Sequence, residues 1–231
     1  MSVAEFAGNK AVEAREFLRE RLAGAQDVCV TSSFQAEDVV VLQMVREFLP
    51  DVPVIFLETG YHFPETLTYR DRIAEEWGLN LVNVFPEHTV AEQEAAFGIL
   101  NQTAPDKCCA LRKVEPLFRA LGGYRVWVTG LRREQSKSRA NLQITETFTL
   151  PTGHMLAKLN PLADWTTRDV WHYAEAQGIP LLPLYEQGYS SIGCAPCTSL
   201  PTDPNDPRSG RWGGHKLECG IHVEQAPENG R

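Results

Sequence analysis

Asp27-Val28-Cys29-Val30-Thr31-Ser32-Ser33-Phe34-Gln35-Ala36-Glu37-Asp38 is the stretch whose reading decides the fold. A short apolar, β-branched run enters a polar turn, and the segment after it, through Phe48, has its apolar residues at helical spacing. A buried strand feeding a helix through such a turn is the first half of a β-α-β unit. The pattern recurs outward from there. Pro53 to Leu57 reads as a second strand, followed by Glu58-Thr59-Gly60 and a helix from Pro64 to Trp77. Leu81 to Phe85 reads as a third strand, and Arg125 to Thr129 as a fourth, after a helix that begins near Cys109. Strands alternating with amphipathic helices predict a parallel α/β sheet, which binds ligands beyond the carboxyl ends of its strands.

From residue 140 the pattern changes. Ile144 to Leu150 and Met155 to Leu159, separated by Pro151-Thr152-Gly153, predict a hairpin. Thr166 or Thr167 caps a helix that runs through Gln177 and stops at Gly178. Beyond Pro201, Pro, Asp and Gly dominate Thr202 to Gly214 and predict a mobile tail. The expected organisation is an α/β domain over 1–200 and a flexible C-terminal segment over 201–231.

The 231 residues suit one domain with a real core, and 43% hydrophobic with 23% charged residues is ordinary globular composition. Met1 to Leu22 alternates apolar and charged residues, without the apolar core of a signal peptide, and no run is long enough to cross a bilayer. The expectation is a cytoplasmic protein with reduced thiols and no membrane partner. Net charge is −8 but uneven: residues 1–100 carry a balance of −10, residues 101–139 of +6, and residues 140–231 of −4. A cationic island in an acidic chain suits a compact anionic ligand better than nucleic acid.

Five of the six cysteines fall in short clusters: Cys108-Cys109, Cys194-Ala195-Pro196-Cys197, and Cys219 in Glu218-Cys219-Gly220-Ile221-His222. The two pairs supply four thiolates, enough for an iron–sulfur cluster or a zinc ion. Neighbouring side chains diverge, so the adjacent pair favours a [4Fe–4S] cluster over one tetrahedral ion. Cys219 is then a spare thiol, a nucleophile candidate whose pKa Lys216, Arg211 and His222 are expected to lower. Cys29, inside an apolar strand, reads as core. Ser32-Ser33-Phe34 at a helix start reads as a phosphate cradle or an N-cap, and it lacks the Walker pattern. Gly130-Leu131-Arg132-Arg133-Glu134-Gln135-Ser136, leading into Lys137 and Arg139, reads as an anion clamp at a strand end, with Arg208 and Arg211 adding guanidiniums near Cys219.

With these residues in view, the sequence resembles the assimilatory adenylyl-sulfate reductases, the iron–sulfur branch of the adenylyl/phosphoadenylyl-sulfate reductase family. The resemblance runs from Val30 to His222. It rests on Ser32-Ser33-Phe34, Glu58-Thr59-Gly60, Cys108-Cys109 with Arg112-Lys113, Gly130 to Ser136, Cys194 to Cys197, Gly210-Arg211-Trp212 and Glu218-Cys219-Gly220-Ile221-His222. It implies a Rossmann-like, PP-loop type adenine-nucleotide-binding fold and reduction of adenylyl sulfate to sulfite and AMP, in sulfate assimilation toward cysteine biosynthesis. By the family pattern Cys219 attacks the sulfate sulfur and becomes an S-sulfocysteine, and thioredoxin or a similar dithiol releases sulfite. The resemblance also implies that Cys108, Cys109, Cys194 and Cys197 hold a [4Fe–4S] cluster of electrostatic role, linked by Lys113 to the substrate's anionic end. The substrate contacts it implies are Ser32, Ser33, Phe34, Glu58, Thr59, Gly60, Lys113, Gly130, Arg132, Arg133, Arg208, Arg211 and His222. Gln35 stands where the family usually has glycine, and Glu58 where aspartate is common. The alternatives are phosphoadenylyl sulfate as substrate and, more remotely, a non-enzymatic iron–sulfur redox sensor; a homo-oligomer is compatible with either.

Overall fold

The computed structural model describes residues 3–214, 216 and 218–222. Six strands form one sheet in the order β3-β2-β1-β4-β6-β5 among the described residues. These are β1 (Val28–Thr31), β2 (Pro53–Leu57), β3 (Asn80–Val84), β4 (Val126–Val128), β5 (Thr145–Thr149) and β6 (Met155–Leu159). β1 is parallel to both β2 and β4, with Val30 opposite Val54 and Val28 opposite Val126. The chain leaves β1 through α2 (Ala36–Arg46), forms β2, passes through α3 (Pro64–Trp77) to β3, and later returns to place β4 on the other side of β1. That reversal opens a crevice between the loops after β1 and β4.

The expected hairpin forms, with Thr145 opposite Leu159, but β6 also pairs in parallel with β4. The hairpin therefore extends the main sheet, and only its outer strand β5 is antiparallel. The central strands β1, β2 and β4 are covered on both faces, which explains why they read as continuous apolar runs. Val30, Val54 and Val128 pack on one face with α2, α3 and residues of α8 (Thr167–Ala176). Cys29, Ile55 and Trp127 point the other way, against Leu117 and Leu121 of α7 (Glu115–Leu121) and Phe148. Cys29 is wholly buried, as expected, and burial pushes its thiol well above its usual range.

Two elements depart from the sequence pattern. α4 (Val90–Phe97) lies where no helix is expected, and the Thr89–Glu92 capping box starts it. The expected helix near Cys109 begins earlier: α5 (Leu100–Thr103) and α6 (Pro105–Cys109) precede it, and a π-helical turn at Ala110–Val114 joins α6 to α7. Pro116 has no N–H to close the ordinary bond to the Arg112 carbonyl, and Glu115 N–H instead reaches back to Ala110.

The composition beyond Pro201 reads as a linker, yet its described part follows a defined course. Ser199 N–H donates to the Gly210 carbonyl at 2.8 Å, Thr198 pairs with Arg211 in an isolated bridge, and Arg211 and Trp212 are buried. Residues 215, 217 and 223–231 of that expected segment lie outside the described residues. No helix among the described residues is long and apolar enough to cross a membrane.

Candidate active site

A cleft of about 710 Å³ occupies the crevice. Its walls bring together Ser32, Ser33, Thr59, Lys113, Gly130, Arg132, Arg208, Arg211, Cys219 and His222. Four other sequence candidates, Phe34, Glu58, Gly60 and Arg133, do not line it.

The loop after β1 is closed on itself. Ser32 N–H donates to the Ile55 carbonyl at 3.0 Å, Ser33 N–H and Oγ donate to Asp38 at 2.5 and 2.6 Å, and Phe34 N–H donates to Ser32 Oγ at 3.0 Å. A phosphate cradle needs such N–H groups free, and here all three have acceptors within the chain. Neither serine is an N-cap; Gln35 holds that position without a capping side-chain bond. Phe34 sits in the left-handed region at φ 58°, a conformation costly for a bulky side chain. Its ring is anchored in the core, edge-on to Phe56 and Tyr69 at 5.8 and 6.4 Å, which is why it does not face the cleft. Burial pushes the Asp38 carboxyl up to about 6, against the opposing pull of its Ser33 bonds. A Cβ on Gly130 would lie 2.6 Å from Asp38 Oδ1, so only glycine lets the β4 loop approach this closely.

The expected arginine clamp is already engaged. The Arg132 guanidinium is buried and donates to Glu37, to Glu134 at 2.9 Å, and to the Trp165 carbonyl and Thr167 Oγ1 at 3.2 Å each. Arg133 turns away, pairing with Asp164 and donating to the Leu142 carbonyl at 2.7 Å. Glu58 pairs with Arg70 at 3.1 Å and accepts from Gly60 N–H at 3.0 Å. Gly60 supplies a positive-φ turn where a Cβ would meet Val90 and Arg112. These residues shape the wall from behind.

The opposite end of the cleft is cationic. The π turn separates two neighbours: Arg112 is buried and donates to the Thr59 and His88 carbonyls and to Gln93, whereas Lys113 enters the cleft. Burial would lower the Lys113 pKa, but the Cys194 and Cys219 thiols outweigh it and hold it raised. Arg211 is buried with its guanidinium 4.5 Å from the Trp212 ring, and its Nε has no hydrogen-bond partner among the described residues. A Cβ on Gly193 would fall 2.1 Å from this guanidinium. Arg208 lies 5.6 Å from the same ring. Lys113, Arg208 and Arg211 line the same cleft as Cys219. Lys216 pairs instead with Asp106 at 2.5 Å. His222 is not a cation either. It stacks on Trp127 at 5.4 Å, its Nδ1 is buried without a partner among the described residues, and burial together with Lys158, Arg139 and Arg208 holds its pKa well below the usual range.

Cys108, Cys109, Cys194 and Cys197 line a second, small cavity beside Lys113 and Trp212. The Cys194 loop docks on the turn after β2, through Ala195 N–H to the Tyr61 carbonyl at 2.7 Å and Cys194 Sγ to Thr59 Oγ1 at 3.4 Å. Burial raises Cys108 to about 11, and the other three thiols of the set add to it. Cys194 is the exception: burial opposes ionisation, but Lys113, Thr59 and Arg211 hold its pKa down. Among the described residues no group of three or more His, Cys, Asp or Glu side chains is drawn together tightly enough to hold one metal ion. The four thiols ring a space.

Sequence reasoning missed Asp38, whose role only the closed loop reveals, and read an anion clamp as leading into Arg139, which instead spends its charge on Glu218. It noticed Gln35 without assigning it a role. That side chain bridges two walls, donating to Ser33 Oγ at 3.0 Å and accepting from Ile192 N–H at 2.8 Å.

Fold and site together define an α/β protein of the PP-loop-like adenine-nucleotide-binding class with a thiol at the cationic end of its cleft. Residues 27–200 match the phosphoadenosine phosphosulfate reductase domain, and the chain belongs to that family. It is 46% identical over 222 residues to the adenosine 5′-phosphosulfate reductase of Mycolicibacterium smegmatis, covering 95% of this chain and 91% of that protein. Among solved structures it is similar to the phosphoadenylyl-sulfate reductase of Candida auris in its phosphate complex, with TM-score 0.68, 27% identity, and coverage of 84% of this chain and 96% of that one. The FMN adenylyltransferase of Candida glabrata shares the fold alone, with TM-score 0.63 and 14% identity over 96% of this chain and 79% of that one.

Proposed function

We propose that this chain reduces adenylyl sulfate to sulfite and AMP in sulfate assimilation, with Cys219 as the nucleophile. The observation that carries the reading is that Cys219 opens into the same cleft as Lys113, Arg208 and Arg211, beside the crevice where this fold class binds nucleotides. Similarity to reductases named for adenosine 5′-phosphosulfate supports that substrate. Arg132 and Arg139 also line the cleft, but carboxylates of the chain already engage both, which leaves them poor partners for the extra phosphate of phosphoadenylyl sulfate.

The Cys219 thiolate attacks the sulfate sulfur. A sulfur–sulfur bond forms, the sulfur–oxygen bond to phosphate breaks, and AMP leaves with the electron pair. Lys113, Arg208 and Arg211 stabilise the charge passing to that phosphate. A thiolate of thioredoxin or a similar dithiol then attacks Cys219 Sγ and releases sulfite; its second thiol resolves the mixed disulfide and restores Cys219, supplying two electrons in all. A reducing cytoplasm suits this chemistry. His222, held neutral and without a partner at Nδ1 among the described residues, offers the substrate a hydrogen bond and no charge.

Cys108, Cys109, Cys194 and Cys197 are the residues that would hold a [4Fe–4S] cluster, because these four soft donors line one cavity. Bound there, it would supply an electrostatic environment beside Lys113. The segment 201–231 acts as the carrier of Cys219 between substrate and reductant.

Intact mass after anaerobic incubation with adenylyl sulfate, without thiol, tests the reading. Wild type gains one SO₃, reduced thioredoxin removes it, and Cys219→Ser gains none. Absence of the adduct on wild-type protein that holds its cluster overturns the proposal.

A further inference from the structure

Glu218, the residue before Cys219, sits at the focus of donors that the reaction scheme leaves unexplained. Its Oε1 accepts from Ser136 Oγ at 2.9 Å, Ser138 Oγ at 3.0 Å and Arg139 Nε at 2.9 Å. Its Oε2 accepts from Arg139 Nη2 at 2.7 Å and lies 3.5 Å from Arg208 Nη2. Arg139 thus grips the carboxylate with two forks, the bidentate arrangement proteins use for phosphate and carboxylate ligands. The side chains of Arg139 and Glu218 are only 11% and 16% exposed. Although burial pushes the other way, the bonds to Arg139 hold the Glu218 carboxyl below its usual range. An anion site has been built after β4, and the chain's own carboxylate fills it.

The placement of that carboxylate bears on the adjacent thiol. Its hydroxyl and Arg139 donors come from residues 79 to 82 positions earlier in the chain, so the contact fixes a late segment to the sheet's carboxyl edge. On the far side of Cys219, Gly220 turns the chain at φ 91°, Ile221 packs against the Trp127 cluster, and His222 stacks on Trp127. Cys219 is held between two anchors. The second is apolar and indifferent to direction, whereas the forked, charged contact at Glu218 fixes orientation.

We infer that Glu218 is a positioning residue, a carboxylate latch on the Ser136–Arg139 turn that seats Cys219 for attack on the substrate sulfur. The inference rests on the proposed two-step reaction, and it separates the steps. Attack on a bound nucleotide needs the thiol at one fixed point, whereas transfer of the adduct to a dithiol protein needs it accessible and gains nothing from the latch.

The experiment follows the two half-reactions by intact mass in the holoenzyme. With saturating adenylyl sulfate and no thiol, Glu218→Gln adds SO₃ about 10- to 100-fold more slowly than wild type, the loss expected for hydrogen bonds to a charged group. Release of sulfite from the preformed adduct by reduced thioredoxin proceeds at the wild-type rate or faster. Arg139→Met gives the same split, and combining both substitutions costs no more than the larger single effect, because they remove one contact. Adduct formation at the wild-type rate in Glu218→Gln, equal slowing of both half-reactions, or additive effects in the double variant would overturn the latch. Failure of wild type itself to form the adduct would instead overturn the reaction on which the latch rests.

Discussion

The two ends of the cleft are built on opposite principles. At the β1 end the polar groups are already spent: three successive N–H groups from Ser32 to Phe34 have acceptors within the chain, and Arg132 is saturated by Glu37, Glu134, Trp165 and Thr167. At the Cys219 end Arg211 is buried with an Nε unpartnered among the described residues, and Lys113 is held raised by thiols rather than by a carboxylate. A buried donor left without a partner is costly, and proteins retain such groups where a ligand completes them. The contrast separates two kinds of wall: a saturated one offers shape and neutral contacts, and an unsaturated one offers charge, as the proposed anion end requires.

The largest break in that contrast is Arg211→Met, which keeps the bulk against Trp212 and removes the charge. Adduct formation is expected to fall by about 100-fold or more, the usual consequence of losing one donor to a developing anion, as read by single-turnover mass measurements.

Asp38→Asn tests the closed end. Because burial raises the folded carboxyl to about 6, from an ordinary value of 3.8, the native chain binds more protons than the unfolded chain between those values. The favourable contribution is complete below the lower value and is lost as pH rises through the upper one. Between about pH 4 and pH 8, the stability difference should therefore move in the variant's favour by about 2–3 kcal/mol. Denaturant titrations across that range check it; a difference independent of pH would mean that Asp38 is not buried in its charged form.

A smaller effect is expected from Gly193→Ala, whose Cβ must push the Arg211 guanidinium aside. Adduct formation should drop about tenfold, the scale of a 1–3 kcal/mol steric displacement, while nucleotide-free stability changes less than in Arg211→Met. Smallest is Gln35→Gly. Losing its neutral bonds to Ser33 and Ile192 should weaken AMP binding by only a few-fold, about 1 kcal/mol, measurable by calorimetry. A wild-type affinity would show that the two walls do not depend on this bridge.

Much of this architecture was legible in advance. The run Val28 to Thr31 and its three successors announce a parallel sheet, because strands covered on both faces must be apolar throughout. The two cysteine pairs were equally plain from spacing, but not that they share a cavity. Phe34, Glu58, Gly60 and Arg133 do not line the cleft, and each is held away from it by a partner of its own. Aromatic packing holds Phe34 inside, Arg70 engages Glu58, the Val90 contact confines Gly60, and Asp164 draws Arg133 outward. A charge count likewise cannot tell spent arginines such as Arg132 and Arg139 from an unsatisfied one such as Arg211.

By itself the sequence determined the sheet and the chemical inventory, since periodicity and residue type are local properties carried by neighbours in the chain. Tertiary structure alone decided which members of that inventory face one another. Glu218 meets a turn 79 to 82 residues away, Lys113 is separated from Arg112 by a π turn, and four thiols from two distant pairs ring one cavity. Whether a charge is available to a ligand depends on partners brought by chain crossings, and those exist only once the sheet has closed its core.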